Sequence, residues 1–166
     1  LNEARPIDNK VRPAYFKAAN SISSDYEHRR VLSAVVSREG TSPALLADVL
    51  SSAKDVGSDY ELAELLTEVG GAYALDDVLR PPFFAAAANL SSDYEHARTL
   101  NSVLRGQVPD AVALAVLESA KGIASDHELS ELLIAVMHHA QLNGAIRAAS
   151  GARWPRSAPR SRPSCA

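Results

Sequence analysis

Four times along the chain an apolar set recurs at i, i+1, i+4 and i+7: Tyr15, Phe16, Ala19 and Ile22; Val49, Leu50, Ala53 and Val56; Phe83, Phe84, Ala87 and Leu90; Val116, Leu117, Ala120 and Ile123. That spacing is one face of an α-helix. The third position is alanine in every set, which predicts a close helix crossing there. A second apolar face follows each set: His28, Val31, Leu32 and Val35; Leu62, Leu65, Leu66 and Val69; His96, Thr99, Leu100 and Val103; Leu129, Leu132, Leu133 and Val136. The pattern therefore predicts four units, each of helix A, a sharp turn, helix B and a loop.

The turn carries its own phrase. "SSDYEH" stands at Ser23–His28 and again at Ser91–His96, with "GSDYEL" from Gly57 and "ASDHEL" from Ala124. Ser-x-x-Glu is a capping box: the serine hydroxyl accepts from the backbone N–H three residues on, and the glutamate reaches back to the serine N–H. The pairs are Ser24 and Glu27, Ser58 and Glu61, Ser92 and Glu95, Ser125 and Glu128. The aspartate between them suits the positive end of the helix dipole. Helix A has punctuation too. Ser42–Pro43 reads as cap and first residue. Pro13 and Pro81–Pro82 must lie in a first turn, after short turns at Asp8–Arg12 and Asp76–Arg80. "VGGAY" at Val69–Tyr73 reads as a helix-to-helix loop.

The cap serines are spaced by 34, 34 and 33 residues. A fixed period of this size signals stacked repeats. The fold class expected is all-α: an α-solenoid of four 33–34-residue units, residues 7–40, 41–74, 75–108 and 109–141, with a partial fifth at 142–149 and a right-handed superhelix.

The units alternate. The first and third share "SSDYEH" and an upstream Arg-Pro, whereas the second and fourth pair "SAKDVGSDYELAELL" with "SAKGIASDHELSELL". Equivalent positions Arg30, Glu64, Arg98 and Glu131 change sign at every step, which predicts an ion-pair ladder between neighbouring units. Tyr26, Tyr60, Tyr94 and His127 follow the cap aspartates and should line one edge. Capping needs no ring there, so these are read first as packing on the neighbouring helix and second as the candidate interaction edge.

Candidate chemistry is sparse. His28 and His96 sit two units apart, roughly 16–20 Å by helix packing distances, too far to share a metal. His138 and His139 are adjacent and diverge on a helix. Each Asp-x-Glu pair belongs to a helix cap and lacks the oxygen ligands and glycine turn of a calcium loop. There is no phosphate-binding glycine loop, and the single cysteine, Cys165, has no histidine partner in the pattern. The reading is of no catalytic or metal residues and no cofactor. The net charge is −3, and the last sixteen residues hold Arg153, Arg156, Arg160 and Arg162 without an acid, so the body is more acidic still. That argues against a nucleic-acid groove. The longest apolar run, Pro81–Leu90, falls short of a membrane span, so no membrane insertion of this segment is expected. Cytoplasm and periplasm both stay open.

After Arg147 the pattern breaks: "LNGAIRAA" matches "LDDVLRPP", but Ser150–Gly151 stand where a Phe pair should, and 150–166 reads as a disordered Arg/Pro/Ser-rich tail. Together with the initial Leu1, this is expected of a piece of a longer array whose reading frame has been left. Over residues 7–149, the repeats resemble HEAT-like and TPR-like α-solenoids. "SISSDYEHRRVLSAVV" and "SDYELAELL" resemble repeat arrays attached to bacterial membrane-associated metallopeptidases of the BlaR type. The peptidase motif is not in this chain, so the resemblance implies neither zinc nor activity here. The function expected is a non-enzymatic scaffold binding a protein or peptide along its extended surface. The alternatives are a sensor or regulatory segment of such a metallopeptidase, or a structural spacer. An apolar or single-signed groove would favour binding, and an evenly mixed surface the spacer.

Overall fold

A computed structural model describes residues 7–105 and 108–139. Among them the chain is all-helical, with no strand and no helix long and apolar enough to cross a membrane. The helices are α1 (Arg12–Ala19), α2 (Asp25–Val36), α3 (Pro43–Ala53), α4 (Asp59–Ala72), α5 (Arg80–Ala87), α6 (Asp93–Ser102), α7 (Asp110–Ser119), which runs on into a 3-10 turn at Ala120–Gly122, and α8 (Asp126–His139). The expected partial unit at 142–149 and the tail at 150–166 lie outside the described residues.

The helices form two rows. α1, α3, α5 and α7 pack one on the next, and α2, α4, α6 and α8 do the same. Each row is thus made of every second helix, which is the packing that a sequence period of two helices demands. The core lies between the rows. Its alanines Ala19, Ala53, Ala87 and Ala120 are buried to 2% exposure or less, at the four places where the pattern put the small residue. Phe83 and the α4 leucines Leu62, Leu65 and Leu66 are equally enclosed.

The starts of α1, α3 and α5 follow two recipes. Ser42 is extended and accepts from Leu45 N–H, with Pro43 opening α3. In α1 and α5 an aspartate folds the preceding turn instead. Asp8 Oδ1 accepts from the N–H groups of Lys10 and Val11, and Asp76 Oδ1 from those of Val78 and Leu79. Arg12 and Arg80 N–H then bond the carbonyls of Asp8 and Asp76, so each proline falls in the first turn, where its missing N–H leaves no gap.

The expected loop at Val69–Tyr73 is corrected: Val69 to Ala72 are the last turn of α4. Gly70 stands there because α6 and α5 come too near for a side chain. A Cβ on it would lie 2.7 Å from Val103 Cγ1 and 2.8 Å from Ser102 Oγ. A helical pattern and a glycine pair pulled the local signal in opposite directions, and tertiary packing decided it.

Candidate functional site

The repeated phrase builds the joints between units. Ser24, Ser58, Ser92 and Ser125 each accept from the N–H of the glutamate three residues on, at 3.3–3.4 Å. The glutamates do not complete the box. The N–H groups of Ser92 and Ser125 are taken by the aspartates of the preceding unit, Asp59 and Asp93, each at 2.8 Å. The same two carboxylates also accept from Ser91 and Ala124 N–H at 3.1 Å, and Asp25 accepts from Gly57 N–H at 3.0 Å. So the aspartate, beyond any dipole effect, clasps the backbone of the next cap. Freed from capping, Glu61 meets Arg29 at 2.5 Å, Glu95 meets Arg98 at 2.7 Å, Glu27 meets Arg30 at 2.8 Å, and Glu128 lines a cleft.

The expected ladder forms as one rung. Glu64 and Arg98 pair at 2.6 Å between the second and third units. Arg30 does not reach Glu64; it turns back to Glu27 of its own helix. Among the described residues Glu131 is not paired with Arg98. The rung runs from a Glu-type unit to the Arg-type unit after it, and not in the other sense.

The first and third joints each carry a histidine–serine contact in the core, and the first also carries the Arg29–Glu61 ion pair. His28 Nε2 lies 3.0 Å from Ser52 Oγ, and His96 Nε2 lies 2.9 Å from Ser119 Oγ. These histidines are 1% and 5% exposed. Burial pulls both imidazoles below the usual histidine range; for His28, Asp55 and Asp25 oppose this in part, and for His96, Asp93 does. Ser52 Oγ also donates to Asn20 Oδ1, which leaves its oxygen able to accept from the imidazole. Between the second and third units the equivalent positions are Leu62 and Ala86, both fully buried. The two-unit period is therefore written into the core as alternating His–Ser and Leu–Ala joints.

Tyr26, Tyr60 and Tyr94 are corrected from packing to exposure, at 50%, 56% and 59%. His127 is exposed as well. Their rings carry cations: Arg29 and Arg30 lie over Tyr26 at 5.4 and 5.6 Å, and Arg98 over Tyr60 at 5.7 Å.

Two clefts adjoin on the row α2–α4–α6–α8. One, of 370 Å³, is lined by Thr67, Tyr94, Arg98, Asn101, Arg105 and Glu128 among others. The other, of 460 Å³, shares Thr67 and Arg105 and adds Arg29, Glu64 and Glu68. Two residues of this lining, Thr67 and Arg98, each bury a polar atom, Oγ1 and Nη2, that makes no hydrogen bond. For Arg98, burial works against the charge, but hydrogen bonds to Glu64 and Glu95 outweigh it and hold its pKa above the ordinary value. Sequence reasoning missed this face. Its one signal is the polar series Ser33, Thr67 and Asn101, nine residues after successive cap serines.

Among the described residues no three His, Cys, Asp or Glu side chains converge on a point that could hold a metal ion. Comparison with protein-family models, with curated proteins and with solved structures gives no match.

Proposed function

We propose that the chain is a non-enzymatic helical-repeat scaffold, an α-solenoid with a right-handed superhelical path, that binds a segment of another protein along the α2–α4–α6–α8 face. The observation that carries the reading is the pair of adjoining clefts, two of whose lining residues, Thr67 and Arg98, each hold a buried polar atom without a partner. A buried donor without a partner costs about 1–3 kcal/mol. A turn of either side chain toward the cleft would let a bound main-chain carbonyl or carboxylate relieve that. The lining mixes both signs, with Arg29, Arg98 and Arg105 against Glu64, Glu68 and Glu128, so the segment it suits is polar and of mixed charge rather than strongly acidic.

The same mixture favours a second reading, a structural spacer without a ligand. Selection of a displayed peptide library on the immobilised chain separates the two. The scaffold reading expects peptides whose binding falls at least tenfold in Arg105→Glu and Asn101→Ala and is unchanged in Asn9→Ala, on the opposite row. If no peptide shows that dependence, the spacer reading stands.

A further inference from the structure

The joint between the second and third units has a giving half and a receiving half. Asp59, Tyr60, Leu62 and Glu64 give; the N–H groups of Ser91 and Ser92, the guanidinium of Arg98 and the small buried Ala86 receive. The fourth unit carries the giving half again as Asp126, His127, Leu129 and Glu131. The first unit carries the receiving half as Ser23, Ser24, Arg30 and Ala18. Neither half is used within the described residues. Asp126 and Glu131 make no ion pair or side-chain hydrogen bond there, and Arg30, 57% exposed, meets only Glu27 and the Tyr26 ring of its own helix.

The apolar positions tell the same story. Leu32, Leu66 and Leu100, eight residues after their cap serines, are fully buried, while their equivalent Leu133 is 41% exposed. Val36 and Leu104 are 2% exposed, while their equivalent Met137 is 64% exposed. At these two positions α8 thus exposes side chains whose counterparts in earlier units are buried.

We propose that a second copy of this chain stacks its first unit on the fourth, in the register of the second-to-third joint. A second copy fits because one contact satisfies both unmatched halves: a Glu-type unit meets an Arg-type unit, Asp126 clasps the N–H groups of Ser23 and Ser24, and Glu131 reaches Arg30. Met137 stands where Gly70 lets α4 approach α6, so the two copies would be spaced more widely than those helices, with the flexible thioether filling the gap. The contact is heterologous and continues from copy to copy into open chains or rings.

The test is sedimentation velocity on the full chain up to millimolar concentration, with circular dichroism to check folding. Mass should rise with concentration. Arg30→Glu or Glu131→Arg alone should weaken association about tenfold or more, because each sets like charges face to face. An equimolar mixture of the two variants, or both changes in one chain, should restore it. A chain that stays monomeric at millimolar concentration overturns the proposal, as it would if residues 140–166 of the same chain covered α8. So does association that the charge swaps leave unchanged. Neither result touches peptide binding on the cleft face.

Discussion

The joint between the first and second units and the joint between the second and third use the same fold for different chemistry. In the first, α2 meets α3 through a buried imidazole and a serine hydroxyl, Arg30 stays on its own helix, and the ion pairs between the units are Arg29–Glu61 and Arg12–Asp48. In the second, the equivalent core positions are Leu62 and Ala86, and the ion pair between the units is formed by Glu64 and Arg98 in place of Arg29 and Glu61. The third-to-fourth joint returns to histidine and serine. Both kinds keep the aspartate clasp. The difference teaches that the clasp fixes the spacing of the units, while the core pair and the surface rung decide which type of unit follows which. A histidine cannot face alanine without an unsatisfied nitrogen, and a leucine facing serine strands a hydroxyl.

The largest expected loss belongs to the clasps. Asp59→Ala removes two bonds to a charged acceptor and should cost about 1.5 kcal/mol, and Asp25→Ala, which clasps Gly57 N–H alone, about half as much. Equal losses would mean the clasp acts through helix dipoles and not through the next unit. The next test converts one joint into the other. His96→Leu removes the partner of the half-buried Ser119 Oγ and should destabilise the fold by about 1 kcal/mol in denaturant titration. Adding Ser119→Ala recreates the Leu62–Ala86 pair and should recover most of that loss. If the double variant is as unstable as the single one, the two joint types are not interchangeable.

Acid should weaken the histidine joints and spare the leucine joint. Burial lowers the folded-state pKa of His28 and His96, so the unfolded chain binds protons more readily. Their contribution is complete above the unfolded value of about 6.5 and is lost as the pH falls from there through the folded value. The melting temperature should drop between neutral pH and pH 5, and the drop should flatten in a chain carrying His28→Leu/Ser52→Ala and His96→Leu/Ser119→Ala. The smallest effect belongs to the rung. Glu64→Gln should cost less than about 1 kcal/mol, and less again in high salt, since its carboxylate side chain is 38% exposed.

Much of the fold is legible in the sequence, because a helical face repeated four times leaves little freedom in where helices lie. The four alanines and the cap serines mark their own places. What the pattern could not show is the direction of side chains at the unit edges. The aspartate read as a dipole partner belongs to the next unit's backbone, a contact about 32 residues away that no local motif encodes. The glutamate, expected at its own cap, was free to pair with arginines. Tyr60 was expected against a helix and instead supports Arg98. Leu133 shares the pattern of its buried equivalents, and what differs is the neighbour, which a hydropathy pattern does not describe. The cleft face was hidden for a similar reason: it is assembled from polar positions of all four units, and its one periodic series, Ser33, Thr67 and Asn101, does not show that these positions line a cleft.

The clasp also bears on how such a chain can lengthen. Its acceptor is an aspartate already needed in the unit that gives it, and its donors are peptide N–H groups, found at Gly57, Ser91 and Ala124 alike. A main-chain donor is present whatever the codon, proline apart. When DNA for a pair of units is copied in tandem, the new pair meets its neighbours with the fastening in place, and no compensating substitution has to arise first. Growth by duplication is then close to neutral at each step. The alternating histidine and leucine joints add one restriction: copies must be inserted in twos.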